Sequence, residues 1–94
     1  MTAETPTDYV RHFDATTRDA AQWLAALPAP VIEWKPSPTA WCIKEIIGHL
    51  VDSAANNHQR FVRAGEQNDL VFPGYAQAQW VHTQAYERAP WHEL

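Results

Sequence analysis

Residues 41–64 read WCIKEIIGHLVDSAANNHQRFVRA, and they form the core of the longest proline-free part of the chain. The stretch contains a single glycine, and it is bracketed by Pro36 and Pro38 before it and by Gly65 after it. This punctuation is typical of one long helix. We therefore predict a central helix of about six turns, around which the rest of the chain is arranged.

The predicted central helix has an apolar side and a polar side. At about 100° per residue, one broad apolar arc is formed by Ile43, Ile46, Ile47, Leu50, Val51, Ala54, Phe61 and Val62. We expect this arc to be buried. The opposite side carries a polar stripe of residues three or four positions apart, namely Glu45, His49, Ser53, Asn56 and Arg60. The stripe is the candidate for chemistry, but one helix supplies only one side of a site.

One further helix is predicted before this stretch and another after it. The first begins at an N-cap near Thr7 and ends before Pro28, with a face for bundle packing formed by Val10, Phe13, Thr17, Ala20, Leu24 and Leu27. Another helix is predicted from about Tyr75 to Arg88, with an inward face formed by Tyr75, Ala78, Val81 or His82, and Ala85. Residues 89–94 resemble the opening of a fourth helix, with Pro90 in its first turn.

The connector between the first and central helices holds four prolines between positions 28 and 39, so no regular helix is expected there. Trp34 is expected to fold back onto the helices. The pattern predicts one all-α domain over residues 1–94, an antiparallel bundle of three helices and the start of a fourth.

Charge and composition argue against two classes of partner, nucleic acids and membranes. A net charge of -4 and a pI near 5.6 provide no basic field for nucleic acid. The absence of a long apolar run and the polar N-terminus favour a cytoplasmic protein with no membrane partner. The lone Cys42, at the start of the central helix, is either a thiol nucleophile or, in the interpretation we favour, a small buried residue.

His49 allows three interpretations from the pattern alone. It is a residue on a solvated stripe, a metal ligand, or a general base that Glu45 orients through the second ring nitrogen. As a ligand it needs partners, and Asp52 and Ser53 are the nearby candidates on the same helix. No H-E-x-x-H, H-x-x-x-H or C-x-x-C pair is present in the sequence.

The block from Trp41 through I-K-E-I-I-G-H-L-V-D-S, followed by Asn56 and R-F-V-R-A and later by F-P-G-Y and Q-A-Q-W-V, resembles the first part of a DinB-like protein. That superfamily comprises metal-binding four-helix bundles and includes thiol-dependent transferases and isomerases. The resemblance implies that His49 is a metal ligand and that Asp52, Ser53, Asn56 and Arg60 are candidates for a substrate pocket. It also implies a divalent metal, either zinc, nickel or iron, and a low-molecular-weight thiol as a candidate cofactor.

In this family the other metal ligands are a histidine pair on the fourth helix, which is not found here. We therefore expect either a piece of a longer protein or a chain that completes its bundle as a homodimer. Two functions follow. One is a metal-dependent hydrolase or thiol transferase acting on a small molecule, and the other is a non-catalytic homodimerising domain with an incomplete metal site.

Overall fold

A computed structural model describes residues 4–94 of the protein, and all of its regular structure is helical. The elements in chain order are α1 (Pro6–Ala25), α2 (Ala29–Ile32), α3 (Ile43–Glu66), α4 (Gln77–Gln84) and two 3₁₀ helices, Tyr86–Arg88 and Trp91–Glu93. The predicted all-α class is confirmed. Residues 1–3 of the predicted domain lie outside the described residues. No helix within residues 4–94 combines the length and the apolar character needed to cross a membrane.

The N-cap of helix α1 lies two residues before the predicted N-cap at Thr7. Thr5 is the N-cap, and its hydroxyl accepts a hydrogen bond from the Asp8 backbone N–H at 3.2 Å. The Asp8 carboxylate accepts the Thr5 backbone N–H at 3.0 Å in return, which completes a capping box. Pro6 occupies the first turn of the helix, where a backbone N–H would have no intrahelical partner. Its missing N–H therefore removes no hydrogen bond.

The proline-rich connector contains one helical turn, α2, where none was predicted. Pro30 lies in its first turn, where the missing N–H removes no hydrogen bond. Ile32 is buried and secures this turn against α3. The prediction for Trp34 was wrong, since its side chain is 66% exposed. The connector is held instead by Lys35, whose ammonium group lies 3.1 Å from the Glu45 carboxylate and 3.2 Å from that of Glu87.

The predicted third helix is shorter than expected. Helix α4 ends because Ala85 adopts the left-handed conformation, with φ 52° and ψ 45°, and the chain continues as the first 3₁₀ helix. The predicted opening of a fourth helix is the second 3₁₀ helix, and Pro90 is its N-cap. Of the predicted inward face of α4, Val81 is buried, whereas Ala78 and His82 are exposed.

The burial of α3 is the reverse of the prediction. Its main contacts are with α4, the first 3₁₀ helix and α2. The buried side consists of Lys44, Glu45, Gly48, Asp52 and Asn56. In the predicted apolar arc, Ile43 and Ile47 are half-buried and the other members are exposed. The physical reason is that Asp52 binds side chains next to the end of α4, which draws α4 to the polar side.

Helix α1 buries none of its residues, so its predicted bundle face is also not packed. Phe13, in the middle of that face, is 71% exposed. The helix is attached near its C-terminal end, where the Trp91 indole N–H donates to the Leu24 carbonyl at 2.9 Å. The radius of gyration is 16.8 Å, against about 12 Å expected for a compact chain of this length.

Candidate functional site

The centre of the polar side is Asp52, whose side chain is almost completely buried at 1% exposure. Its Oδ1 atom accepts hydrogen bonds from the Tyr86 hydroxyl at 2.6 Å and from the Gln84 amide at 3.2 Å. Gln84 and Tyr86 flank Ala85, so the left-handed turn that ends α4 brings both donors to the same carboxylate. Two neutral donors therefore stabilise a carboxylate that has little access to water.

The Tyr86 ring approaches α3 over Gly48. A Cβ atom at this position would overlap the Tyr86 ring, so the absence of a side chain makes the contact possible. Burial, together with the hydrogen bond to Asp52 and its negative charge, raises the pKa of Tyr86 to about 12. The phenol therefore remains a hydrogen-bond donor throughout the physiological pH range.

Three buried polar atoms in the described part of the chain have no hydrogen-bond partner. They are Nδ1 of His49, Oδ2 of Asp52 and the hydroxyl of Tyr75. His49 lies one turn before Asp52 on α3, and its ring centroid is 5.4 Å from that of Trp41. Because buried polar atoms normally have partners, the two atoms of His49 and Asp52 mark this turn of α3 as a candidate binding position.

The remaining stripe residues divide between two arrangements. The Asn56 amide donates to the Asp52 backbone carbonyl at 2.9 Å, so it supports the same turn. Ser53 and Arg60 are connected through Asn57, whose amide bonds to Ser53 at 3.4 Å and whose carbonyl accepts from Arg60 at 3.2 Å. The structure therefore connects Asp52 with Asn56, leaves His49 one turn before Asp52 and next to Trp41, and places Ser53 and Arg60 in a separate network through Asn57.

Glu45, at the start of the stripe, bonds to groups other than His49, whereas the general-base interpretation would have it orient that ring. Its carboxylate accepts the Cys42 backbone N–H at 3.2 Å and forms an ion pair with Lys35. Burial acts to raise the pKa of Glu45, but the hydrogen bond from Cys42 and the contact with Lys35 outweigh it, so the pKa is lowered. Cys42 is buried, in agreement with the favoured interpretation of a small buried residue.

Tyr86 and Gln84, the two donors to Asp52, were not predicted as site residues. No sequence motif indicates them, because they reach Asp52 only through the break at Ala85. One available signal was Gly48, since a glycine inside a helix often marks a close approach of another group.

Next to Gln84, a cleft of about 440 Å³ is lined by Ala76, Gln79, Trp80, Thr83 and Gln84. This volume is within the range of small-molecule sites.

The side chains in this region that could act as metal ligands form only part of a metal site. His49 and Asp52 each have a buried atom without a partner, and imidazole and carboxylate are suitable ligands for zinc and similar ions. Residues 4–94 nevertheless contain no group of three His, Cys, Asp or Glu side chains that could hold a metal ion. The described residues therefore offer at most part of a metal site.

The family model of the DinB superfamily matches residues 12–94, which is most of the chain. This chain belongs to the DinB superfamily. Searches of curated proteins and of solved structures gave no match. The match includes α3, α4 and both 3₁₀ helices. Asp52 and the three side chains bonded to it, Asn56, Gln84 and Tyr86, therefore all lie within the part of this DinB-superfamily chain that the family model matches.

Proposed function

We propose that this DinB-superfamily chain binds a divalent metal ion, zinc, nickel or iron, with His49 as a ligand and Asp52 as its neighbour. The observation that supports the proposal is the pair of buried atoms without partners, Nδ1 of His49 and Oδ2 of Asp52, one turn apart on α3. Such an ion, when bound, would supply a Lewis acid for hydrolysis or thiol transfer on a small molecule. Further ligands have to come from outside the described residues of a single chain.

The protein's own residues support this role by holding Asp52 in one orientation. Tyr86 and Gln84 occupy Oδ1, and this leaves Oδ2 free. Asn56 fixes the backbone of the same turn. Ser53 and Arg60, with their neighbouring network, are the candidates that would position a small-molecule substrate or a low-molecular-weight thiol.

Metal titration tests the role of His49. Native mass spectrometry of protein titrated with Zn²⁺ should show bound metal in the wild type and its loss in His49→Ala. His58→Ala is the matched control, because His58 is an exposed histidine on the same helix. Equal metal content in the wild type and His49→Ala would remove His49 from the site.

A second function, a non-catalytic homodimerising helical domain, is favoured by a separate observation. Large apolar residues on both long helices are exposed, and no three-ligand group occurs within residues 4–94. A dimer that takes up no Zn²⁺ in the titration would support this function. A dimer that binds Zn²⁺ only when His49 is present would support the metal-binding function.

A further inference from the structure

Two apolar surfaces remain uncovered on the long helices. The α1 stripe comprises the exposed residues Tyr9, Val10, Phe13 and Trp23. The α3 stripe comprises the exposed residues Ile46, Leu50, Val51, Phe61 and Val62. Monomeric proteins rarely leave two apolar surfaces of this extent in water, so both stripes indicate an interface.

The two stripes match each other in length and character. At 1.5 Å per residue, the α1 stripe extends over about 21 Å and the α3 stripe over about 24 Å. Together their side chains expose on the order of 800 Å² of apolar surface. A stable protein–protein interface buries about 800 Å² on each partner, so the two stripes of one chain are sufficient for a dimer.

Within a single chain the stripes do not cover each other. No residue of α1 is buried, and the main partners of α3 lie on its other side. Helix α1 is attached at its C-terminal end, where Ala21 and Leu24 line a cavity together with Ile47 and Trp91. The chain is consequently more extended than a compact domain of the same length.

We infer that two copies of this chain pair reciprocally, with the α1 stripe of each copy packed on the α3 stripe of its partner. A twofold axis produces both contacts at once, because the surface that one copy needs is the surface that the other copy offers. The result is an intermolecular bundle of four long helices, two from each chain.

A second copy explains the observations better than an unrelated partner. An unrelated protein would have to present two apolar surfaces of matched length in the right arrangement, whereas a copy presents them by symmetry. The inference deepens the second proposed function by specifying the interface. It does not depend on metal, so loss of Zn²⁺ binding in His49→Ala and loss of the dimer are separate results.

Sedimentation equilibrium measures the association directly. The wild type should be a dimer, and Phe13→Asp in the α1 stripe and Phe61→Asp in the α3 stripe should each give a monomer. Val71→Asp is the matched control, because Val71 is a 90% exposed apolar residue in the loop outside both stripes. Its dimer should persist. The inference would be overturned by a monomeric wild type, or by single variants Phe13→Asp and Phe61→Asp that both remain dimers.

Crosslinking distinguishes reciprocal pairing from other dimers. Ala20 is exposed on the side of α1 that carries the α1 stripe, and Ala54 is exposed on the side of α3 that carries the α3 stripe. Because the natural Cys42 is buried, a short bismaleimide can be directed to cysteines introduced at these two positions. A mixture of Ala20→Cys and Ala54→Cys chains should give a crosslinked dimer, and each variant alone should give none. Dimers crosslinked through Ala20→Cys alone would indicate pairing of α1 with α1. Intramolecular crosslinking of the double variant in a monomer would show that α1 folds onto its own α3. Either result would contradict the inference.

Discussion

The missing side chain of Gly48 is what allows Tyr86 to reach Asp52. A buried carboxylate is unfavourable unless donors surround it, and Tyr86 is the closest donor to Asp52. A single glycine inside α3 therefore determines whether the first 3₁₀ helix can pack on α3. At the scale of residues, this contact places the Tyr86 hydroxyl at the Asp52 carboxylate.

We expect Gly48→Ala to lower the free energy of unfolding by roughly 1–3 kcal/mol, because the new methyl group overlaps the Tyr86 ring. Gly65→Ala is the matched control in the same helix, since nothing lies within 4 Å of a Cβ atom there. That variant should be neutral or more stable by about 0.5–1 kcal/mol, because alanine favours helix. Urea unfolding measures both. Equal effects of the two substitutions would show that Tyr86 does not pack on Gly48.

The hydrogen bond from Tyr86 to Asp52 predicts a loss of stability at alkaline pH. The pKa of Tyr86 is about 12 in the folded protein and about 10 in an unfolded chain. Between these values the folded state holds the proton more tightly, so this contribution is complete below about pH 10 and decreases as the pH rises toward 12.

Urea unfolding of Tyr86→Phe checks this expectation. Near neutral pH the variant should be less stable by about 1–3 kcal/mol, since Asp52 loses a donor. The difference from the wild type should become smaller above about pH 10. Tyr75→Phe is the control, because the Tyr75 hydroxyl has no hydrogen-bond partner within residues 4–94 and its removal should cost no stability. A constant difference between Tyr86→Phe and the wild type across this range would contradict the prediction.

At the scale of elements, the sequence predicted where helices form better than which sides they bury. The length of α3 follows from prolines before it and from its own composition, and its predicted range agreed to within two residues at each end. Periodicity placed the apolar residues of α3 on one arc, but the prediction that this arc is the buried side was wrong. It could not show what covers that arc, because burial depends on which neighbour packs there, and α4 packs on the opposite side through Asp52.

The candidate site was predictable to a similar extent. His49, Asp52 and Asn56 could be placed near one another from the sequence because residues three and four positions apart share one side of a helix, and their role in a site stays a prediction. The contributions of Gln84 and Tyr86 depend on the left-handed conformation of Ala85, and alanine has no intrinsic preference that would indicate it. The metal ligand role of His49 stays a prediction.

The reversed burial of α3 predicts unequal costs for two core-type substitutions. Val81→Ala should lower the free energy of unfolding by about 2 kcal/mol, because Val81 is 1% exposed and belongs to α4, which packs on α3. Leu50→Ala should cost below about 1 kcal/mol in dilute protein, since Leu50 is 56% exposed in the single chain. Urea unfolding at low concentration separates them. A larger loss for Leu50→Ala in a monomer would mean that the apolar arc is the buried side after all.

At the scale of the whole molecule, the chain is expanded because its apolar surfaces are divided between two sides. The polar side of α3 packs within the chain, and the two stripes of α1 and α3 face outward. If a second copy covers them, folding and association are linked, and the stability of the chain depends on its concentration. A self-contained monomer has no such dependence.

We therefore expect the melting temperature to rise with protein concentration. A hundredfold increase in concentration adds about 2.7 kcal/mol to the stability of a folded dimer by mass action. Differential scanning calorimetry of the wild type over such a range should show the shift, and Phe61→Asp should not, because the charge prevents α3 from pairing. Val71→Asp should keep the shift, since it lies outside the stripes. A melting temperature independent of concentration in a protein that sediments as a dimer would mean that the dimer dissociates before its chains unfold, so that the stripes contribute nothing to thermal stability.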